Sequence, residues 1–403
     1  MDNNFSQILE KEKERQNNSI VLIASENYAS KSVREAQGSI FTNKYAEGYP
    51  GARYYGGCEY VDQIEELAIL RAGELFGAEH VNVQPHSGAQ ANMAVYSALF
   101  NSEDLVLSLP LDHGGHLTHG SKVNFSGKFY NFNFYEVDRE SEQINYDNLH
   151  EMAKLNNPKA ILSGFTSYPR EIDFERIKYI CDDTNTLMIV DMAHISGLVA
   201  AKLHSDCVRY ADVVTSTTHK TLRGPRGGLI LSKNKFSKKI DKSVFPGMQG
   251  GPMMHTIAAK AVAFEEAISK DFIDYQKLVL SNAKSLANKL SKSGLRIVTG
   301  DTDTHMVLVD VSNFGLTGKM AEEKLNSFGI IVNRNTIPYD KKPPRICSGI
   351  RIGTAAISSR GMGENAIKII SESIIDILKD HNKENAVKQN ILNLAKQYPI
   401  DLD

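Results

Sequence analysis

The sequence predicts an α/β protein with a large, mostly parallel sheet and a second, smaller α+β domain. Segments with helical periodicity alternate with short apolar runs over the first two-thirds of the chain. Such alternation is typical of strand–helix–strand units, in which crossover helices keep neighbouring strands parallel. The apolar runs are continuous, as expected for strands that are buried on both faces.

The individual elements follow from spacing and from end signals. A helix is predicted over 61–76, because its apolar residues recur three and four positions apart and Gly77 can cap its end. A short strand at 81–83, a loop of small residues and a helix over 91–100 come next. The remaining strands of this sheet are predicted at mostly apolar runs: 105–109, 160–164, 187–190, 213–218 and 228–231.

The pattern changes near residue 275. A helix is predicted over 277–293, with short strands and further helices after it; the strands are 307–311, 330–332 and 350–352. We therefore predict an N-terminal arm and large domain over residues 1–275 and a small α+β domain over 276–403.

Composition narrows the classes of function. The 403 residues carry a formal net charge of −2, which gives no electrostatic reason to expect a nucleic-acid or membrane partner. The first 18 residues are polar, and no apolar run reaches the length of a membrane span. The four cysteines form no CxxC pair, so we expect no metal site but free thiols in a reducing cytoplasm.

Chemically able side chains follow three of the predicted strands. Asp191 and His194 come after 187–190, His219 and Lys220 come after 213–218, and Ser87-Gly88-Ala89 comes after 81–83. Ligands of open α/β sheets bind beyond the carboxyl ends of the strands, so we expect these groups to meet.

Taken singly, each of these groups has an ordinary explanation. A lysine is usually solvated, an aspartate after a strand often caps a turn, and Ser-Gly-Ala often begins a helix. Together they match the needs of pyridoxal 5'-phosphate (PLP): a lysine amine for a Schiff base, an acid for the pyridinium nitrogen and an anion site for the phosphate. We therefore predict a PLP enzyme linked through Lys220, with Asp191 at the ring nitrogen and the helix start at 87–89 at the phosphate.

Six longer blocks extend this interpretation. The sequence resembles the serine hydroxymethyltransferase family in the block TTHKTLRGPRGG around Lys220 and in five others, which are 22–28, 43–62, 113–120, 245–252 and 348–354. The resemblance implies a fold-type I, aspartate-aminotransferase-like PLP enzyme. It also implies the reversible conversion of serine and tetrahydrofolate to glycine and 5,10-methylenetetrahydrofolate, which supplies one-carbon units and glycine.

The resemblance implies roles for particular residues around the cofactor. His116 would stack on the pyridine ring, His194 would contact the ring oxygen, and His219 would lie beside the Schiff base. Glu47 would transfer protons near the substrate hydroxymethyl group. Further contacts to PLP would come from Ser87, Gly88, Ala89, Asp191, Tyr45, Gly250 and Gly251.

The same resemblance implies sites for the substrates. The amino-acid carboxylate would be bound by Ser25, Tyr55 and Arg351, and a guanidinium fork suits a carboxylate on physical grounds. Tetrahydrofolate would be contacted by Leu111, Gly115, His116, Leu117, Tyr54 and Asn335. The chain would form a homodimer with shared active sites, because Tyr45, Glu47 and the Gly250-Gly251 turn would reach the cofactor of the neighbouring chain.

Three positions depart from the family pattern. Ala89 stands where relatives often have a second serine, Asp112 stands where a small residue is expected, and Pro343-Pro344-Arg345 replaces a Ser-Pro-Phe stretch near the pterin. Two other functions stay open on the residues alone. One is a PLP-dependent β-hydroxy-amino-acid aldolase that needs no folate, and the other is a non-catalytic α/β binding protein.

Overall fold

The computed structural model describes residues 3–380 and 384–401. The α-helices in the described ranges are α1 (Asn3–Asn18), α2 (Lys31–Gln37), α3 (Glu59–Phe76), α4 (Gly88–Leu99), α5 (Phe125–Phe129), α6 (Tyr146–Asn156), α7 (Phe174–Asp183), α8 (Ser196–Ala200), α9 (Cys207–Tyr210), α10 (Ser237–Lys242), α11 (Met254–Ile268), α12 (Lys270–Lys292), α13 (Gly318–Ser327), α14 (Ala355–Ser359), α15 (Glu364–Leu378) and α16 (Glu384–Gln397).

The strands are mostly short. They are β1 (Ile20–Val21), β2 (Gly48–Tyr49), β3 (Ala52–Arg53), β4 (His80–Asn82), β5 (Leu105–Ser108), β6 (Asn131–Phe134), β7 (Ala160–Ser163), β8 (Leu187–Asp191), β9 (Val213–Thr217), β10 (Gly228–Ser232), β11 (Arg296–Ile297), β12 (Met306–Asp310), β13 (Ile330–Ile331), β14 (Asn333–Asn335) and β15 (Gly349–Gly353). Internal contacts divide the chain into two compact units. One is Ser32–Ile273, and the other joins the residues up to Lys31 with those from Asp274 onward.

The unit Ser32–Ile273 is built on a seven-stranded sheet with the order β4-β10-β9-β8-β7-β5-β6. The pairs from β9 through β6 are parallel, whereas β10 runs antiparallel to both β9 and β4. The predicted mostly parallel sheet is therefore confirmed, with one antiparallel strand inside it. Strand β6 was not predicted, because its alternating Asn and Phe residues lie half-exposed at the sheet edge.

Local signals explain the helices that flank this sheet. Helix α3 ends at Gly77, whose φ of 66° is easily reached only without a side chain. Helix α4 begins after Ser87, whose Oγ accepts a hydrogen bond from Gln90 N at 3.2 Å. The buried face of α4, including Ala91 and Val95, packs on Val213 and Ile230 of the sheet, so α4 stands over β9 and β10.

The second unit contains an antiparallel sheet with the order β11-β12-β15-β14. Strand β1 pairs in parallel with β13, which places Ile20 opposite Ile330. Both residues belong to an apolar core that also contains residues of α12, α13, α15 and α16. This pairing holds the N-terminal segment in the same unit as the C-terminal residues. Among the described residues, no helix is both long enough and apolar enough to span a membrane.

Candidate active site

The carboxyl ends of β8 and β9 bring several predicted residues together. These strands are parallel neighbours, with Asp191 paired opposite Thr215. At the end of β9, Thr217 Oγ1 donates to Ala193 O at 3.4 Å, and beyond the strands Thr221 Oγ1 donates to His194 O at 2.9 Å. The segment with Asp191 and His194 is therefore bonded directly to the segment that contains Lys220.

Asp191 is a buried carboxylate with three hydrogen-bond donors. Its Oδ1 accepts from Ala193 N at 3.0 Å, and its Oδ2 accepts from Asn92 Nδ2 at 2.8 Å and from His119 Nε2 at 3.1 Å. His119 Nδ1 accepts from His116 N, which leaves Nε2 as the protonated ring nitrogen. Burial raises the pKa of Asp191, but hydrogen bonds from His119 and Asn92 and the electrostatic effect of His119 and His116 outweigh it and hold the pKa well below its usual range.

The amide of Asn92 on α4 connects this carboxylate to its surroundings. Asn92 Oδ1 accepts from Thr215 Oγ1 at 2.5 Å, and its Nδ2 also donates to Thr118 Oγ1 at 2.8 Å. Thr118 Oγ1 lies 2.7 Å from Nδ1 of His116. The network thus fixes the ring of His116 relative to Asp191, as a stacking residue over a ring bound at Asp191 requires.

Lys220 is buried in a tight loop between β9 and β10. Thr218 N donates to Gly227 O at 3.1 Å, Gly224 N donates to Thr218 O at 2.7 Å, and Lys220 O accepts from Arg223 N at 3.1 Å. Burial, together with the charges of Lys220 and Arg226, lowers the pKa of the adjacent His219 to about 3. Its buried Nδ1 has no hydrogen-bond partner among the described residues. A neutral imidazole with an open nitrogen can therefore receive a bond from a ligand.

The loop before α4 approaches the Lys220 loop closely. A Cβ on Gly88 would lie 2.6 Å from Cγ2 of Thr217, and a Cβ on Gly228 would lie 2.4 Å from Ser87 O. Both glycines are required by this approach, since such distances are too short for a side chain. Ala89 is the second residue of α4 and is exposed, so it presents its backbone N–H without a hydroxyl group.

These features fit PLP. An ionised, buried Asp191 suits a protonated ring nitrogen, the open Nδ1 of His219 lies next to Lys220, and α4 presents the positive end of a 12-residue helix. His116, His119 and Asp191 also have ligand atoms within 4.8 Å of one another, which could hold a metal ion. However, Asp191 already accepts a hydrogen bond from His119 there, and this arrangement serves a ring-nitrogen partner better.

A second cluster lies in the same unit, around Glu47. Its carboxylate accepts from Tyr45 OH and Tyr55 OH, each at 3.2 Å, and the charge of Glu47 raises the pKa of Tyr55. A Cβ on Gly250 would lie 3.0 Å from Glu47 Oε1, and one on Gly251 would lie 3.0 Å from the Tyr45 ring. The structure therefore places these five predicted residues together.

The loop that bears Glu47 is held by a buried arginine. Arg53 donates to Glu65 Oε2 at 2.6 Å, to Asp62 Oδ1 at 2.8 Å, and to the carbonyl oxygens of Ala46 and Gly48 at 2.9 Å. The latter two bonds flank Glu47, so the ion pairs of Arg53 fix the backbone on both sides of it.

The predicted folate residues of this unit lie largely at the surface. Leu111 and Leu117 are each 42% exposed, and Tyr54 is 72% exposed with its ring edge-on to Phe245. Gly115 is required by a close approach, because a Cβ there would lie 2.1 Å from Leu109 O. Exposed apolar side chains beside a tight glycine turn could form one wall of a site for a flat ring.

Arg351, Ser25 and Asn335 belong to the other unit. Arg351 lies on β15, donates to Asn333 Oδ1 at 3.2 Å, and has its pKa lowered to about 10 by burial. Gly353 N donates to Leu22 O at 2.7 Å, which brings the turn with Ser25 to the end of the strand that bears Arg351. Asn335 lies at the end of β14, with its Nδ2 donating to Thr336 O.

Two residues of the site were not predicted as such, namely His119 and Asn92. His119 falls inside the block 113–120, where Gly115, His116 and Leu117 were given roles but His119 was not. Asn92 had no sequence signal, because its importance depends on α4 lying over the sheet beside the carboxyl end of β8. Both act directly on the carboxylate of Asp191.

The mixed sheet, the small antiparallel unit and the site around Lys220 and Asp191 define a PLP-dependent enzyme of fold type I. The serine hydroxymethyltransferase family model matches residues 1–374 of this chain, so the protein belongs to that family. It is accordingly a transferase that uses PLP and tetrahydrofolate. It interconverts serine and glycine, with 5,10-methylenetetrahydrofolate as the one-carbon product.

Proposed function

We propose that this reaction is carried out at the carboxyl ends of β8 and β9, with PLP linked covalently to Lys220. The observation that supports this most strongly is the network that joins Asp191 to α4, to the His116 segment and, through His194, to the Lys220 loop. One rigid network connects the groups expected at the ring nitrogen, the ring face and the linking amine.

Bound PLP supplies an electron sink for the charge left on Cα when the Cα–Cβ bond of serine breaks. Asp191 would keep the ring nitrogen protonated, and His116 would cover the face of the ring. Arg351 and Ser25 bind the carboxylate of serine, and Tyr55 supports them. His219, which is neutral, accepts or donates a hydrogen bond near Lys220 without adding a charge there.

Glu47 takes the proton from the serine hydroxyl group as the Cα–Cβ bond breaks. The one-carbon unit is released as formaldehyde and condenses with the two reacting N–H groups of tetrahydrofolate with loss of water, while the proton taken by Glu47 is returned to Cα to give glycine. Tyr45 and Tyr55 donate to the two oxygens of Glu47 and fix its orientation. We propose that the folate is bound by Leu111, Gly115, His116, Leu117, Tyr54 and Asn335.

The assignment of Lys220 is tested by borohydride reduction and peptide mapping. The reduced pyridoxyl group should be found on Lys220. Recovery of the label on another lysine, or no stable label on a protein that binds PLP, would contradict the assignment. Lys260, a second buried lysine of the same unit, is the natural internal control.

We further propose a homodimer in which Tyr45, Glu47 and the Gly250-Gly251 turn serve the cofactor of the neighbouring chain. In one chain the Glu47 cluster is open to solvent, with Tyr45 55% and Tyr55 48% exposed. Other large apolar residues nearby in sequence, Ile40 and Tyr60, are also exposed. Such a surface favours an interface, and a two-fold axis makes both composite sites equivalent.

Two inactive variants test the shared site. Lys220→Gln and Glu47→Leu, mixed and refolded, give hybrid dimers in about half of the population if exchange is random. In a shared arrangement one site of each hybrid carries both lesions and the other carries neither, so activity should return to about a quarter of the wild-type value. If Glu47 serves its own chain, every site carries a lesion and the mixture stays inactive.

We also propose a cytoplasmic location and the functional division into residues 1–275 and 276–403. All four cysteines are free and buried, which suits a reducing compartment. Localisation of a tagged chain by microscopy and fractionation would test the first proposal.

A further inference from the structure

Lys260 is a fully buried lysine to which the reaction described above gives no role. It lies on α11, and its residue is 1% exposed. Its Nζ donates to Val83 O at 2.6 Å, to Gly228 O at 2.7 Å and to Pro85 O at 3.1 Å. Three carbonyl acceptors match the three N–H donors of an ammonium group, whereas a neutral amine has only two.

The three carbonyls belong to two loops of the proposed site. Val83 and Pro85 lead from β4 to Ser87 and Gly88, at the start of α4. Gly228 begins β10 and closes the loop that contains Lys220, and its own N–H donates to Pro85 O at 2.9 Å. One ammonium group therefore bonds the phosphate-side loop (83–88) to the lysine loop (217–228).

The side chain of Lys260 packs tightly against the lysine loop. A Cβ on Gly227 would lie 2.5 Å from Cε and 3.1 Å from Nζ of Lys260, so the lysine stem rests directly on the backbone of the lysine loop. Burial lowers the pKa of Lys260 more than the charge of Glu65 raises it, and the net value is about 7. No carboxylate of the described residues lies within 4.0 Å of Nζ, so the carbonyl dipoles hold the charge.

We propose that Lys260 is a positioning residue that fixes the phosphate-side loop relative to Lys220 and so sets the affinity for the phosphorylated cofactor. This inference rests on the proposed roles of Lys220 and of the 87–89 helix start. The affinity for a ligand that is bound both at its phosphate and at Lys220 depends on the spacing of the two loops. The affinity for a ligand that is bound only at Lys220 does not depend on that spacing.

The test compares PLP with pyridoxal, which has the same aldehyde and ring but no phosphate. Lys260→Met keeps the length of the side chain and removes all three donors, and Lys260→Gln keeps two N–H donors without charge. We expect Lys260→Met to raise the dissociation constant of PLP about tenfold or more, the factor of one charge-assisted hydrogen bond. The dissociation constant of pyridoxal should change little, and Lys260→Gln should fall between Met and the wild type.

Two matched variants control for general destabilisation. Phe264→Leu changes a buried residue one turn along α11 that contacts neither loop through a hydrogen bond, and it should leave the ratio of the two dissociation constants unchanged. Gly227→Ala keeps the charge of Lys260 but displaces its ammonium group, and it should reproduce the selective loss of PLP. This variant also decides the question if Lys260→Met does not fold.

Other results would overturn the proposal. Equal losses for PLP and pyridoxal would mean that Lys260 supports the lysine loop alone, and unchanged binding of PLP would remove the role altogether. An error in the proposed site itself would be recognised in the wild-type protein. Borohydride would then label a lysine other than Lys220.

Discussion

The carboxylate of Asp191 is the group whose replacement should separate cofactor binding from catalysis. Asp191→Asn changes one oxygen to an amide and leaves the size of the side chain almost unchanged. In the wild type Oδ1 accepts one hydrogen bond, from Ala193 N, and Oδ2 accepts two, from Asn92 and His119. An asparagine has a single acceptor oxygen. In either orientation of the amide, therefore, the donor or donors that face its NH2 group lose their acceptor.

The size of the effect follows from these bonds. A buried donor left without a partner costs about 1–3 kcal/mol. If the amide oxygen faces Ala193 N, the N–H donors of Asn92 and His119 both lose their acceptor. The ring nitrogen also loses its anionic partner, and removal of one such electrostatic contact typically reduces turnover about a hundredfold or more. A hundredfold loss corresponds to about 2.7 kcal/mol in the barrier.

The assay measures cleavage of serine with tetrahydrofolate, together with the PLP content of the same preparation. Asp212→Asn is the matched control, because Asp212 lies at the opposite end of the same strands and accepts from Met188 N at 3.1 Å. That variant should turn over serine almost as the wild type does. Turnover of Asp191→Asn within tenfold of the wild type, at full PLP content, would refute the role of the carboxylate.

Three further changes have expected outcomes. Arg351→Lys keeps a charge but loses the guanidinium fork, so the KM for serine should rise by a factor equivalent to about 2–4 kcal/mol, while PLP stays bound. An unchanged KM would exclude Arg351 from the carboxylate site. Arg360→Met removes hydrogen bonds to the carbonyls of Ser19, Ala395 and Tyr398, each at 2.6–2.7 Å, and should clearly lower the urea midpoint of unfolding. Burial lowers the pKa of His219 from 6.5 to about 3, so only the unfolded chain takes up this proton as the pH falls through that window. Stability should therefore decrease from pH 6.5 toward pH 3, and His219→Asn should remove that part of the decrease in urea titrations.

Much of the large sheet was predictable because β5, β7, β8 and β10 are almost unbroken apolar runs. The predicted strands 187–190 and 213–218 differ from Leu187–Asp191 and Val213–Thr217 by one residue each. The helix predicted over 277–293 begins earlier, at Lys270, and Phe272 of its first turn is buried. Strand β14, Asn333–Asn335, has no apolar residue and owes its conformation to pairing with β15.

The candidate site was predictable where strand ends reveal it and hidden where it depends on packing. Asp191 directly follows the apolar run 187–190, and Lys220 lies two residues after the predicted strand 213–218, so the rule on strand ends located both. Asn92 lies within a helix and looks like an ordinary polar residue until α4 is placed over the sheet. Lys260 is similar, since a lone lysine in an apolar helix gives no indication that three carbonyls converge on it.

The antiparallel strand β10 explains why these hidden contacts exist. Continuous apolar runs predict burial on both faces but do not distinguish a parallel central strand from an antiparallel one. Because β10 runs antiparallel to both β9 and β4, its first residue, Gly228, lies at the sheet edge where β9 and β4 end. A parallel strand in that place would have carried its first residue to the opposite edge. Both ends of the lysine loop therefore lie at the end of the sheet where the phosphate-side loop begins. This arrangement lets the ammonium group of Lys260 donate hydrogen bonds to both loops.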